Sequence, residues 1–485
     1  MRFRLATVAV IMVVIGGIAY GLSTNAGNDA GSSTVTTPSA QVTALEGAST
    51  STAGITSKTI TIGFPISNLD ALASSLGFST DVEYSEQAKA IHLFVNQINN
   101  EGGIYGRKII PDIVDIDPTS ETDMRSVCKD WTEGPGAVFA VLDGVGSWDG
   151  IDQLCITQEG HTPLISQWTT VPNFAQPGEP YLWWTGPNQA QVLIATVDWA
   201  KSEGYISKTS ALGIIAGNRP SDQDALNDYL LPALEKMGIP TVVEPIEADP
   251  SEAASTQADA PLVLEKLRAA GVKTMLPLIP FNVFFPIISS ETSQQYFPRL
   301  LLSDYEFSIE TSLGILQFFA KALNGQEGVT TETLGGIDDP RPYSQGGYDP
   351  GVRQCWVVWH KAYPQIPKGN MNFYIEEQGP VQGWCQQIRL LVDALKLAGP
   401  HLDRRSFVEA MAKITNFAGG YSPIFSFGPT KIAGPSQYRV VRLHINSPPS
   451  TLCKIGYPGA KPAGVCWVVE KNWTPLPSVP NSGYS

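Results

Sequence analysis

Asp143-Gly144-Val145-Gly146-Ser147-Trp148-Asp149-Gly150 is the stretch whose residue types most invite a chemical reading: three glycines, a serine and two carboxylates after an apolar run. A dinucleotide fingerprint, G-x-G-x-x-G, would need its third glycine at 149, where Asp149 instead places a charge that repels a pyrophosphate. Nor is it a nucleophile elbow, because Gly146-Ser147-Trp148-Asp149-Gly150 holds its serine in the second position and not the third. What is left is a ligand-binding loop or a plain turn between a strand and a helix. The five histidines, His92, His161, His360, His401 and His444, form no H-E-x-x-H and no close His/Cys pair. The residues therefore predict neither a catalytic constellation nor a metal or cofactor site.

The whole-chain balance narrows the classes further. With 32 basic and 46 acidic residues the net charge is −14, and no Lys/Arg run offers a footprint for nucleic acid. A chain of 485 residues with 43% hydrophobic residues is long enough for two or three domains. Arg2 and Arg4 precede an uncharged apolar run, Leu5 to Leu22, so residues 1–22 read as a secretory signal, cleaved or retained as a membrane anchor. No cysteine follows that run to carry a lipid. Residues 23–57 are rich in Ser, Thr and Gly and lack apolar periodicity, which predicts a disordered tether. Export places the six cysteines in an oxidising compartment, where disulfides are expected before metal ligation.

The elements that must position any site begin at Lys58. Strands are predicted at 59–64, 108–116, 137–142, 163–166, 211–216, 241–244, 274–278 and 300–302, with helical periodicity between them. Such alternation gives parallel sheets with helices on both faces, and two successive series give two lobes. Pro111 has no N–H to donate, so the second strand is expected at a sheet edge or with a bulge, and the edge position agrees with a doubly wound order 2-1-3-4-5. Open sheets of this kind bind ligands beyond the carboxyl ends of their strands. The candidate ligand residues are thus those that follow strands: Ser67, Asn68, Gly146, Ser147, Trp148, Gln167, Trp168 and Thr169 in the first series. In the second they are Asn218, Arg219, Asp222, Phe281, Asn282 and Asp304. Trp148, Trp168 and Phe281 are either aromatic walls for an apolar ligand or packing residues.

The string from Phe94 to Ile113, FVNQINNEGGIYGRKIIPDI, resembles the first helix, turn and second strand of the type I periplasmic solute-binding proteins, the receptors of branched-chain amino acid and related ABC importers. The runs 241–276, 379–400 and 416–443 are similar to later parts of that family. The resemblance implies two doubly wound lobes joined by a three-crossing hinge. It assigns 58–187 and 314–417 to lobe 1, 188–313 and 418–470 to lobe 2, and 471–485 to a tail. It implies a non-catalytic receptor outside the cytoplasm, with a small-molecule ligand and a membrane permease as partners. A ligand-sensing domain of the same fold, or an extracellular enzyme, stands as the alternative. The lobe assignment implies the pairings Cys128–Cys155, Cys355–Cys385 and Cys453–Cys466, each within one lobe. It also places Asn282 where the family carries the acid that holds a ligand's ammonium. Free leucine or valine is therefore expected not to be the best ligand, unless Asp222 or Asp304 takes over. A neutral or anionic solute, with Arg219 on its acid group, is the expected substitute.

Overall fold

The computed structural model describes residues 45, 47–67, 84–117, 120–144, 150–316, 318–332, 350–364, 383–419, 424–446 and 464–479. The chain divides into Met1–Thr36 and Thr37–Ser485, and every described residue belongs to the second unit.

The first sheet contains β1 (Thr59–Ser67), β2 (Lys108–Ile116), β3 (Ala140–Asp143), β4 (Leu164–Ser166) and β5 (Leu182–Trp184). Their order is β2-β1-β3-β4-β5, with every neighbouring pair parallel. Pro111 lies on the edge strand, opposite Ile62, so no strand beyond it requires the missing N–H. The expected doubly wound order is present. β5 was not among the predicted strands.

The second sheet contains β6 (Leu212–Gly217), β7 (Thr241–Ile246), β8 (Thr274–Leu278), β9 (Arg299–Ser303) and β10 (Glu327–Thr330). A ribbon follows, β11 (Phe417–Ala418) with β12 (Ile424–Phe425), then the long β13 (Gln437–Asn446) and β14 (Gly464–Pro475). The second sheet's order is β14-β13-β10-β9-β8-β6-β7, with β13 antiparallel to both β10 and β14. Because strand side chains alternate between faces, this sheet builds two cores. Leu300, Leu302, Met275 and Ile215 pack on one face with Leu264 and Ile288. Leu301, Leu276, Ile214 and Leu212 pack on the other with Leu193, Trp199 and Leu230.

Three sequence-based boundaries differ from the observed packing. A boundary at 314 falls inside the helix Ser308–Ile315, and the strand that follows, β10, pairs parallel to β9 in the second sheet. Ile432 and Ala433, expected in lobe 2, belong to the first core, and the Trp184 N–H donates to the Ile432 carbonyl at 2.8 Å. The expected tail is structured as far as Val479: β14 reaches Pro475, and Val479 is buried in a core of the second lobe.

The predicted tether also ends earlier than residue 57. Ala48 is buried, the Ser49 N–H donates to the Tyr181 hydroxyl at 2.7 Å, and Arg405 Nε donates to the Ala48 carbonyl at 2.9 Å. Gly54, at φ 75°, lies so close that a Cβ there would be 2.1 Å from the Phe139 nitrogen. Small residues that read as a flexible composition are here what lets a strap lie directly against another backbone.

Two expected disulfides are present, Cys128–Cys155 with Cα atoms 6.2 Å apart and Cys355–Cys385 at 5.8 Å. Cys453 lies outside the described residues, and so therefore does the third pairing.

Glu291, on the helix Phe281–Gln294, is fully buried with no hydrogen-bond partner on either carboxyl oxygen. Burial raises its pKa well above the ordinary value of 4.5. A raised carboxyl pKa means that the native state binds the proton more tightly, so stability falls as pH rises above the unfolded-state value. Glu291→Met is therefore expected to stabilise the fold more at pH 8 than at pH 5, by about 1.4 kcal/mol for every tenfold by which folding tightens the proton's binding. Urea titrations of both proteins at the two pH values measure this. An equal effect at both would mean that the carboxyl is not desolvated.

Candidate functional site

Parallel strands put their carboxyl ends on one side of each sheet, and the loops there carry the candidate residues. In the first sheet a buried network fixes the loop after β4. Ser166 Oγ lies 3.0 Å from Asp143 Oδ2, and Gln153 Nε2 donates to Ser166 Oγ at 3.1 Å and to the Trp168 carbonyl at 3.0 Å. Burial, reinforced by Asp152, pushes the Asp143 pKa well up, and the Ser166 hydrogen bond only partly offsets this. Trp168 is buried. Gln167 and Thr169 on either side point the loop toward the second sheet's strand ends.

That junction is close-packed. Gln189 opens the helix Gln189–Ser202, capped by Asn188, whose side chain accepts from the Ala190 N–H at 3.0 Å. Gln189 Nε2 then donates to Thr169 Oγ1 at 2.7 Å and to the Asp304 carbonyl at 3.3 Å, tying the loop after β4 to the loop after β9. Gly186 precedes this helix, and a Cβ there would come within 2.8 Å of the Gln167 carbonyl oxygen. Around these residues lies a narrow recess, which three sequence candidates line: Gln167, Thr169 and Asp304. Thr185, Gln189, Thr331, Glu332 and Gln386 complete its polar wall, and none of the five was expected. Asn188 capping a helix start was the only sequence signal near them. Asp304 is held by Thr331, whose N–H and hydroxyl donate to Oδ2 at 2.6 and 2.7 Å. Burial raises the Asp304 pKa despite bonds from Thr330 and Thr331 and the charge of Arg439.

The remaining second-lobe candidates form a separate buried cluster. Arg219 grips Asp222 with two bonds of 2.8 Å and reaches Glu306 at 2.7 Å, while the Tyr305 hydroxyl donates to Asp222 Oδ1 at 2.7 Å. Burial alone would lower the Arg219 pKa, but Asp222 and Glu306 hold it well above the usual value. Glu306 sits at φ 50°, a left-handed conformation that costs a non-glycine residue about 1–2 kcal/mol and that the ion pair must offset. The expected role of Arg219 as a ready cation for an acidic ligand is thus corrected: its guanidinium is engaged by two carboxylates of its own lobe. Asp222 is engaged in the same way. Asn282 is buried and donates to the Ala248 carbonyl at 3.3 Å. Exposed Asn218 braces Glu247 and Ala248, and Phe281 is half-buried. Ser67 ends β1, whereas Asn68, Gly146, Ser147 and Trp148 lie outside the described residues. Among the described residues no group of three or more His, Cys, Asp or Glu could hold a metal ion.

Residues 74–299 match the family described as periplasmic binding protein. No curated protein matches the sequence. Among solved structures, a fatty acid ABC transporter substrate-binding protein from Thermomonospora curvata is similar at 19% identity and a TM-score of 0.61, over 87% of this chain and 93% of that one. A solute-binding protein from Rhodopseudomonas palustris BisB5, in complex with 3,4-dihydroxybenzoic acid, gives 14% and 0.60 over 87% and 99%. A branched-chain amino acid ABC transporter protein from Thermus thermophilus with bound valine gives 13% and 0.59 over 80% and 94%. The match over 74–299 and the sheet order shared by the two lobes identify the chain as one with the type I periplasmic binding protein fold.

Proposed function

We propose that the protein is a solute receptor working outside the cytoplasm, which delivers a small organic molecule to the membrane permease of an ABC importer. The observation that carries this reading is the convergence of both sheets' carboxyl ends on one recess, where Gln189 joins Thr169 to Asp304. A ligand held there contacts both lobes, so its binding energy favours the closed arrangement, which is the hinge-closure mode. The chain then crosses between lobes between Trp184 and Gln189, after Thr330, and between Ala433 and Gln437, and both lobes include residues expected elsewhere from sequence.

The reading is non-catalytic, and the similar structures differ in their ligands: a fatty acid transporter component, a dihydroxybenzoate complex and a valine complex. At 13–19% identity these structures share the fold with this chain, and their ligands are not carried over to it. Among the described residues no helix is long and apolar enough to cross a membrane, and any anchoring would fall to residues 5–22. A thermal-shift screen of amino acids, amides, short acids and aromatic acids, followed by mass spectrometry of the recovered solute, tests the proposal. A receptor returns its ligand unchanged. Recovery of a chemically altered solute would assign the protein to the enzymes.

A further inference from the structure

We propose that the two disulfides of lobe 1 position its ligand face, acting through Gln153 and Gln387 as positioning residues, and do more than staple its core. This deepens the proposed function and rests on it, since that face is taken to meet the solute. Cys155 lies two residues after Gln153, and Cys385 two residues before Gln387. Each cysteine shares a helical turn of about 3.6 residues with its glutamine, so a bond that anchors the one anchors the other. All four cysteines and both glutamines are buried.

Both glutamines bond to the carboxyl ends of β3 and β4, where the candidate loops begin. Gln387 Nε2 donates to the Asp143 carbonyl at 2.8 Å, and the Gln167 N–H donates to the same oxygen at 3.0 Å. A carbonyl has two lone pairs, so this one joins the helix Trp384–Ala398 to the loop after β4. Trp384, in the same turn, lies against Gly144, where a Cβ would come within 2.7 Å of its ring. Its Nε1 donates to Gln87 at 3.3 Å. Gln153 Oε1 accepts from Trp184 Nε1 at 3.3 Å, which turns its Nε2 to Ser166 Oγ and the Trp168 carbonyl. Ser166 Oγ receives the Trp168 N–H at 3.0 Å and donates to Asp143 Oδ2, so Gln387, Asp143, Ser166 and Gln153 form one continuous network.

The far end of each disulfide is fixed elsewhere in the lobe. Cys385 is bonded to Cys355 on the helix Pro350–Ala362. That helix starts against the ribbon β11–β12, since a Cβ on Gly351 would lie 1.3 Å from the Gly419 carbonyl oxygen. Just past its other end, the Lys89 ammonium sits 4.4 Å from the centre of the Tyr363 ring. Cys155 is bonded to Cys128 on the helix Glu121–Thr132, whose Trp131 Nε1 donates to Asp112 of β2 at 2.8 Å. Breaking either bond lets a glutamine-bearing turn fluctuate, and the amides at the ends of β3 and β4 then open locally while the rest of the sheet stays closed. Holding a site by the shell behind it is what keeps binding loops in their productive geometry.

Hydrogen exchange read by mass spectrometry tests this on the wild type, on Cys355→Ala with Cys385→Ala, and on Cys128→Ala with Cys155→Ala. The peptide that holds Gln167 and Trp168 is expected to exchange roughly tenfold faster in each paired variant under native conditions. The reference is the peptide that holds Phe139, whose N–H donates to the Thr61 carbonyl at 2.9 Å just before β3 begins. Its rate is expected to stay within about twofold, because it exchanges without passing through the strand-end network. An unchanged rate at Gln167 and Trp168, or an equal rise at Phe139, would overturn the proposal, since a staple that only stabilises loosens the lobe as a whole. If the paired variants do not fold, Gln387→Leu and Gln153→Leu, which leave both bonds in place, decide by the same two peptides: a rise confined to Gln167 and Trp168 supports the proposal, and any other pattern overturns it. No solute enters this measurement, so its failure leaves the proposed function standing, whereas a chemically altered solute in the thermal-shift screen would sink that function alone.

Discussion

Replacing Arg219 with methionine is expected to destabilise the second lobe by about 3–5 kcal/mol, because it leaves Asp222 and Glu306 buried without their counter-ion. Both carboxylates are at most 4% exposed, so water cannot take over the role of the guanidinium. Arg219→Lys is expected to recover only part of the loss, since a point charge cannot reproduce the paired bonds to Asp222. Adding Asp222→Asn and Glu306→Gln to the methionine variant should recover more, by removing the stranded charges. Urea unfolding of the four proteins measures the series. A loss under about 1 kcal/mol for the first variant, the range of exposed pairs, would show that the cluster is hydrated and not sealed.

Removal of the Cys128–Cys155 disulfide by paired alanines is expected to cost about 3.6 kcal/mol in the chain-entropy model, for a sequence separation of 27. The bond joins the helix Glu121–Thr132 to the helical segment that starts at Ile151, directly after the loop at the end of β3. Both cysteines are buried in the first core, so alanine also leaves a small cavity, and the measured cost should exceed the entropic figure. Thermal unfolding with and without reductant gives the check. Equal stability of the wild type in both, with thiols confirmed free after reduction, would contradict it.

The parts legible in the sequence were those set by local rules. Pro111 cannot donate to a ladder, so it fits an edge strand or a bulge, and this supported the order β2-β1-β3-β4-β5 that the sheet shows. The helix expected at 84–99 runs from Tyr84 to Asn100, because its apolar face repeats at helical spacing. Two disulfides followed once the lobes had been assigned. Failures came where composition and packing diverge. The Ser/Thr/Gly stretch before Lys58 looks like a tether, yet Ala48 and Gly54 are small in order to fit beneath Arg405 and against Phe139.

The candidate site was legible as a set of loops and not as a set of roles. The strand-end rule named Arg219, Asp222 and Asp304, three charged residues with identical sequence credentials. Only tertiary structure separates them: Arg219 and Asp222 neutralise each other with Glu306, while Asp304 turns to the lobe junction. Gln189 escaped notice because a glutamine in the first turn of a helix is ordinarily a solvated residue. Its reach across to Thr169 depends on the close passage at Gly186, which no local pattern encodes.

Closure of two lobes on an unaltered solute is tested most directly by small-angle X-ray scattering of the protein, before and after saturation with the solute from the thermal-shift screen. A receptor of this kind shows a smaller radius of gyration with the solute bound, a return to the open value on dialysis, and chemically intact solute in the dialysate. An unchanged radius at saturation, or an altered solute in the dialysate, would contradict it.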